Sequence, residues 1–137
     1  MLRRILIADD EPDLRRLVSF TLSRHGYEVM EARDGAEALE ILKTERPDLI
    51  LLDVMMPVLS GYDTLRAIKA DESLADIPVV MLSAMSQSWE VAEGMEYGAA
   101  DYICKPFNPT GLVERIEGFL EKADTTQGAD RTAPPSG

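Results

Sequence analysis

Cysteine is almost absent from this chain. Cys104 stands alone, which excludes an internal disulfide and a cysteine-based zinc site. Histidine is as scarce. His25 is the only one; it sits just before Gly26 and reads as a capping or solvated residue with no catalytic role. Positive charge is in deficit: 14 Lys and Arg face 25 Asp and Glu, a net charge of −11. That balance argues against nucleic acid or an anionic membrane as a ligand of this chain by itself. It suits a cation or a basic partner surface. No hydrophobic run is long enough to span a membrane. The start, Met1-Leu2-Arg3-Arg4, faintly resembles a signal peptide, but the apolar run after it stops at Asp9-Asp10-Glu11. That is too short for a secretory signal, so a cytoplasmic location is expected.

What is present suits one domain. The 137 residues are 45% hydrophobic and 28% charged, enough for a single core and too few for two. The most informative stretch is Leu49-Ile50-Leu51-Leu52 running into Asp53. Apolar on both alternating faces, it predicts a strand buried on both sides, as in a parallel sheet. Similar strands are expected at 4–8 and 79–82, with weaker ones at 27–32 and 101–104. Between them lie helical patterns. Pro12 and Asp13 open the first, with Leu14, Leu17, Val18, Thr21 and Leu22 on its inward face and Gly26 as its stop. Asp34 with Glu37 resembles a capping box for the second, and Ser60 caps the third. Ser86 opens a fourth, through Trp89, to Gly98. Asn108-Pro109 opens the last, with Leu112, Val113, Ile116, Phe119 and Leu120 as its stripe.

Five strands alternating with five helices imply a parallel sheet with helices on both faces. The two weakest strands, second and fifth, belong at the edges, which fits the order 2-1-3-4-5. After Lys122 the chain becomes small, polar and rich in turn residues. Residues 1–122 are therefore expected to form the folded domain, and 123–137 a disordered tail or the start of a linker.

In such sheets ligands bind beyond the carboxyl ends of the strands. Strand 1 delivers Asp9 and Asp10 there, strand 3 Asp53, strand 4 Ser83, and strand 5 leads to Lys105. Three carboxylates in one cleft repel, by roughly 4 kcal/mol per pair at ~4 Å and an effective dielectric near 20. A hard cation compensates them, and carboxylate oxygens suit Mg²⁺. A carboxylate can also attack phosphorus to form an aspartyl-phosphate, with Lys105 and Ser83 binding the phosphoryl oxygens. Taken singly, each of these residues has an ordinary reading. Asp10 would cap a helix, Ser83 would sit in a turn and Lys105 would be a solvated surface lysine. Their coincidence at one end of the sheet carries the argument.

Four stretches, ILIADDE, DLILLDVMMPVLSGYD, PVVMLSA and GAADYICKPF, together resemble the response-regulator receiver domain of two-component signalling. The likeness covers about residues 3–122. It implies a flavodoxin-like fold with Asp53 as phosphoacceptor and a histidine kinase or phosphotransfer protein as phosphodonor. It implies Mg²⁺ held directly by Asp10 and Asp53, by Asp9 largely through water, and by the carbonyl of Met55. It further implies that Ser83 and Tyr102 switch on activation, that Lys105 contacts the phosphoryl group, and that the bond to Pro106 is cis. Such a domain catalyses its own phosphorylation and dephosphorylation rather than turning over a separate substrate. Its output surface would be the fourth helix, fifth strand and last helix, acting on a downstream partner or a following output domain. Receivers that dimerise to bind DNA carry charged pairs there. Arg115 resembles one such position, while Ala100 and Gly111 depart from the pattern, leaving the oligomeric state open, a phosphorylation-dependent dimer included. Met55 and Met85 occupy positions that govern water access to the acyl phosphate, and their apolar side chains imply slow self-dephosphorylation. Two rivals stand against this reading. An aspartyl phosphatase would need a second Asp at position 55, where Met stands. A degenerate receiver acting as a protein-binding scaffold would not need the full set Asp9, Asp10, Asp53, Ser83 and Lys105.

Overall fold

A computed structural model describes residues 3–83, 95–105 and 107–132. Five parallel strands pair in the order β2-β1-β3-β4-β5. They are β1 (Arg4–Ala8), β2 (Glu28–Ala32), β3 (Leu49–Asp53), β4 (Val79–Ser83) and β5 (Asp101–Cys104). Among the described residues, the helices include α1 (Pro12–Arg24), α2 (Gly35–Ile41), α3 (Gly61–Ala70) and a C-terminal helix, Pro109–Thr132. The expected doubly covered sheet is observed. The second strand begins at Glu28, one residue later than expected. Ser86, Trp89 and Met85 lie outside the described residues, as does Pro106.

Alternation along the strands divides the core into two layers. Leu6, Ile50, Leu52 and Met81 pack on one face with Ala38 of α2 and Leu65 and Ile68 of α3. Ile5, Ile7, Leu49, Leu51, Val80 and Leu82 pack on the other with Val18 and Leu22 of α1 and Leu112, Val113 and Ile116 of the C-terminal helix. Every residue of β3 and β4 is buried, as a strand covered on both faces requires.

Local signals set the helix ends. Asp34 Oδ1 accepts from the Glu37 amide at 2.8 Å. The return bond differs from a standard capping box: Glu37 Oε1 accepts from the amide of Arg33, one residue upstream of the cap. Ser60 Oγ caps α3 by accepting from the Asp63 amide. Gly26, at φ 91°, ends α1 in a backbone conformation that side chains disfavour.

One expectation is corrected. Leu17 does not face inward: it is 47% exposed, and Phe20 is 61% exposed. The buried stripe of α1 is narrower than its spacing suggested, because only Val18 and Leu22 meet the sheet squarely. The C-terminal helix runs from Pro109 to Thr132. Ala123 and Ala129 favour helix, and the sequence has no proline until Pro134-Pro135.

Candidate functional site

The carboxyl ends of β1, β3 and β4 bring the site residues together. Asp9 has no exposed surface, Asp53 is 4% exposed and Ser83 3%. The side chain of Lys105 is 11% exposed and reaches back across this edge. Its Nζ lies 2.9 Å from Asp9 Oδ2 and 3.2 Å from Asp53 Oδ2. The backbone amide of Lys105 donates to the Ser83 carbonyl at 2.7 Å, so β4 fixes where the lysine leaves the sheet. Asp53 Oδ1 accepts from the Met55 amide at 3.3 Å. Asp9 Oδ1 accepts from the Glu11 amide, and Arg15 donates to the Asp9 carbonyl at 2.7 Å.

The loop after β3 is built for close approach. A Cβ on Gly61 would stand 2.2 Å from the Asp53 carbonyl oxygen, so only glycine lets α3 begin there. Val58 in the same loop has φ 69°. A β-branched residue in the left-handed region stores strain of about 1–3 kcal/mol.

Asp10, unlike Asp9, is exposed. It is not the cap of α1; the cap position is Glu11, whose side chain makes no capping bond. Carboxylate oxygens of Asp9, Asp10 and Asp53 lie within 4.8 Å of one another. Three hard oxygen donors in that space, with one lysine to balance them, fit a divalent cation of the Mg²⁺ kind. The electrostatics agree. Burial first, then the charge of Asp9, pushes the Asp53 carboxyl up to about 7, against the opposing pull of Lys105 and the Met55 amide. Burial alone would lower Lys105, but its bond to Asp9 and the charge of Asp53 outweigh it and raise the ammonium's pKa.

Tyr102 is buried and its hydroxyl is hydrogen-bonded to that of Tyr62 on α3. The switch aromatic implied by the sequence therefore lies in the core layer of α2 and α3. Tyr62 also packs edge-on against Tyr97, with ring centroids 6.0 Å apart. Arg115 pairs with Asp101 and the Tyr102 carbonyl of its own chain. Met55 is 72% exposed. Sequence reasoning passed over Glu11, Arg15 and Tyr62. Glu11 alone carried a visible signal, as the third member of an unbroken acidic run.

Comparison with known proteins places the fold and the family. The family model for the response regulator receiver domain matches residues 5–117. A probable transcriptional regulator ycf27 of Porphyridium aerugineum is 42% identical over 134 residues, covering 98% of this chain and 54% of that protein. The phosphate regulon transcriptional regulatory protein PhoB of Pseudomonas aeruginosa is 41% identical over 132 residues, covering 96% and 56%. This chain thus spans about half the length of these curated relatives. Among solved structures, the chemotaxis protein CheY4 of Vibrio cholerae is 35% identical with a TM-score of 0.82, covering 85% of this chain and 98% of that one. A CheY-like receiver domain protein of Methanospirillum hungatei is 28% identical with a TM-score of 0.85, covering 92% and 99%. The chain belongs to the response regulator receiver domain family.

Proposed function

We propose that this receiver accepts a phosphoryl group on Asp53 from a histidine kinase or phosphotransfer protein and uses it to switch a downstream partner. A carboxylate oxygen of Asp53 attacks the donor phosphorus, and the donor's bond to phosphorus breaks with its electron pair leaving on the donor. Mg²⁺, held by Asp10, Asp53, the Met55 carbonyl and, largely through water, Asp9, would offset charge on the phosphoryl oxygens. Lys105 supplies a point charge to the new phosphoryl group, and Ser83 a hydroxyl donor. Ser83 and Tyr102 then carry the change toward the output surface, with the bond to Pro106 shaping the loop that holds Lys105. The phosphoryl group must favour one arrangement over the other for anything to shift. The curated relatives are transcriptional regulators by name, which supports an output domain or DNA-binding partner beyond the receiver.

One observation carries the reading: a buried Asp53 beside a largely covered lysine, within a cluster of carboxylates that a single lysine does not neutralise. Intact mass after incubation with Mg²⁺ and acetyl phosphate tests it. One added phosphoryl group is expected on the wild type and none on Asp53→Ala. An unmodified wild type that binds Mg²⁺ but does not bind a stable phosphoryl mimic would point to a partner-binding scaffold.

A further inference from the structure

Lys105 holds a third carboxylate that the phosphoacceptor reading leaves without a role. Its Nζ lies 3.2 Å from Glu11 Oε1, a contact between residues 94 positions apart in the chain. Glu11 occupies the cap position of α1 without capping it. Its amide is tied to Asp9 Oδ1, and Pro12 begins the helix directly after it. The backbone of Glu11 is therefore pinned to the site. Its side chain, 62% exposed, reaches over the mouth to the ammonium. Asp9 and Asp53 draw Lys105 inward, and Glu11 draws it to the rim.

We infer that Glu11 is a positioning residue for Lys105. It holds the ammonium toward the rim while Asp53 is unmodified, and yields it when the phosphoryl group arrives. This rests on the phosphoacceptor reading and adds to it a residue that sets how readily Lys105 is released. Two consequences of opposite sign follow. Without Glu11, Lys105 settles fully on Asp9 and Asp53 and competes with Mg²⁺, so Mg²⁺ binds more weakly. Without Glu11, the incoming phosphoryl group has one rival fewer for the ammonium at the rim, and the anionic donor meets less repulsion. Phosphorylation at saturating Mg²⁺ is then faster. A residue that merely supported the helix would move both quantities the same way or neither.

The test is a double-mutant cycle on the full chain. Mg²⁺ is titrated calorimetrically into the wild type, Glu11→Gln, Lys105→Ala and the double variant. Phosphorylation by acetyl phosphate at saturating Mg²⁺ is followed by mass in the wild type and Glu11→Gln. Glu11→Gln should weaken Mg²⁺ binding about threefold when Lys105 is present, the scale of a partly exposed ion pair. In the Lys105→Ala background the change should fall below about 1.5-fold, the through-space remainder. The phosphorylation rate should rise about twofold, on the same scale. Glu11→Asp keeps the charge but shortens the reach, and should behave like Glu11→Gln. Equal effects of Glu11→Gln on Mg²⁺ with and without Lys105 would overturn the inference, as would a slower phosphorylation rate. A wild type that takes no phosphoryl group would instead overturn the phosphoacceptor reading, while the Mg²⁺ cycle still decides whether Glu11 acts through Lys105.

Discussion

The two ends of the sheet treat charge in opposite ways. At the amino ends of the strands, cations meet anions in partly exposed groups, where water screens the charge that is left over. Arg4 pairs with Glu45 and Glu28 while its amide donates to Asp48, and Arg46 grips both oxygens of Asp76. At the carboxyl ends, Asp9 and Asp53 are buried beside Asp10 and Glu11, with Lys105 shared among Asp9, Asp53 and Glu11. The first arrangement ties loops together at little cost. The second buries carboxylates that share one cation, and burial with the charge of Asp9 pushes Asp53 up to about 7. Local conflict of this sort is what a site needs if a cation and a phosphoryl group are to relieve it.

If that contrast is right, removing cations at the two ends should have very different costs. Lys105→Met leaves Asp9 and Asp53 buried without a cation. It should lose about 3–5 kcal/mol of unfolding free energy at pH 8 without Mg²⁺, measured by urea denaturation. The loss should shrink toward pH 5, because Asp53 then takes a proton in the folded state. A loss that does not vary with pH would break the comparison. Val58→Gly relaxes the loop that follows Asp53. It should gain about 0.5–1 kcal/mol, since relief of the left-handed strain exceeds the added chain entropy of glycine. No gain in the urea midpoint would remove strain from the account of that loop. Arg4→Ala, at the opposite end, should cost on the order of 0.5 kcal/mol. That cost should fall with added salt and be indifferent to Mg²⁺, which separates it from Lys105→Met.

The fold was legible where burial is two-sided. Residues 49–52, short, apolar on both faces and bounded by Pro47-Asp48, read as a covered strand, and the same logic recovered β1 and β4. The site was legible because β3 and β4 each place a polar residue after an apolar run, and β1 places two. Less could be read where the answer depends on a distant neighbour. Spacing put Leu17 on the inward face of α1, but how far the sheet extends beneath that helix is a matter of packing. Asp9 and Asp10 are equivalent in sequence, and only the turn into α1 buries one and exposes the other. Glu11 reads as one more solvated acid until Lys105 arrives from the far end of the chain. Residues after Lys122 look like linker by composition. The C-terminal helix runs on to Thr132.

The central claim is that the carboxyl edge is strained by charge until a cation binds. The most direct measurement compares urea unfolding of the wild type and Asp53→Asn, with and without Mg²⁺. Asp53 has a folded pKa near 7 against an ordinary value of 3.8, so the folded form binds its proton more tightly than the unfolded form. Its contribution to stability is therefore greatest below about pH 4 and is lost as pH rises toward 7. At pH 8 without Mg²⁺, Asp53→Asn should be the more stable protein by on the order of 1–2 kcal/mol, and the gap should close by pH 5. With Mg²⁺ at about 100 times its Kd, the wild type should gain roughly 2.7 kcal/mol and overtake the variant. A wild type that is no less stable than Asp53→Asn without Mg²⁺, and gains nothing when it is added, would contradict the account.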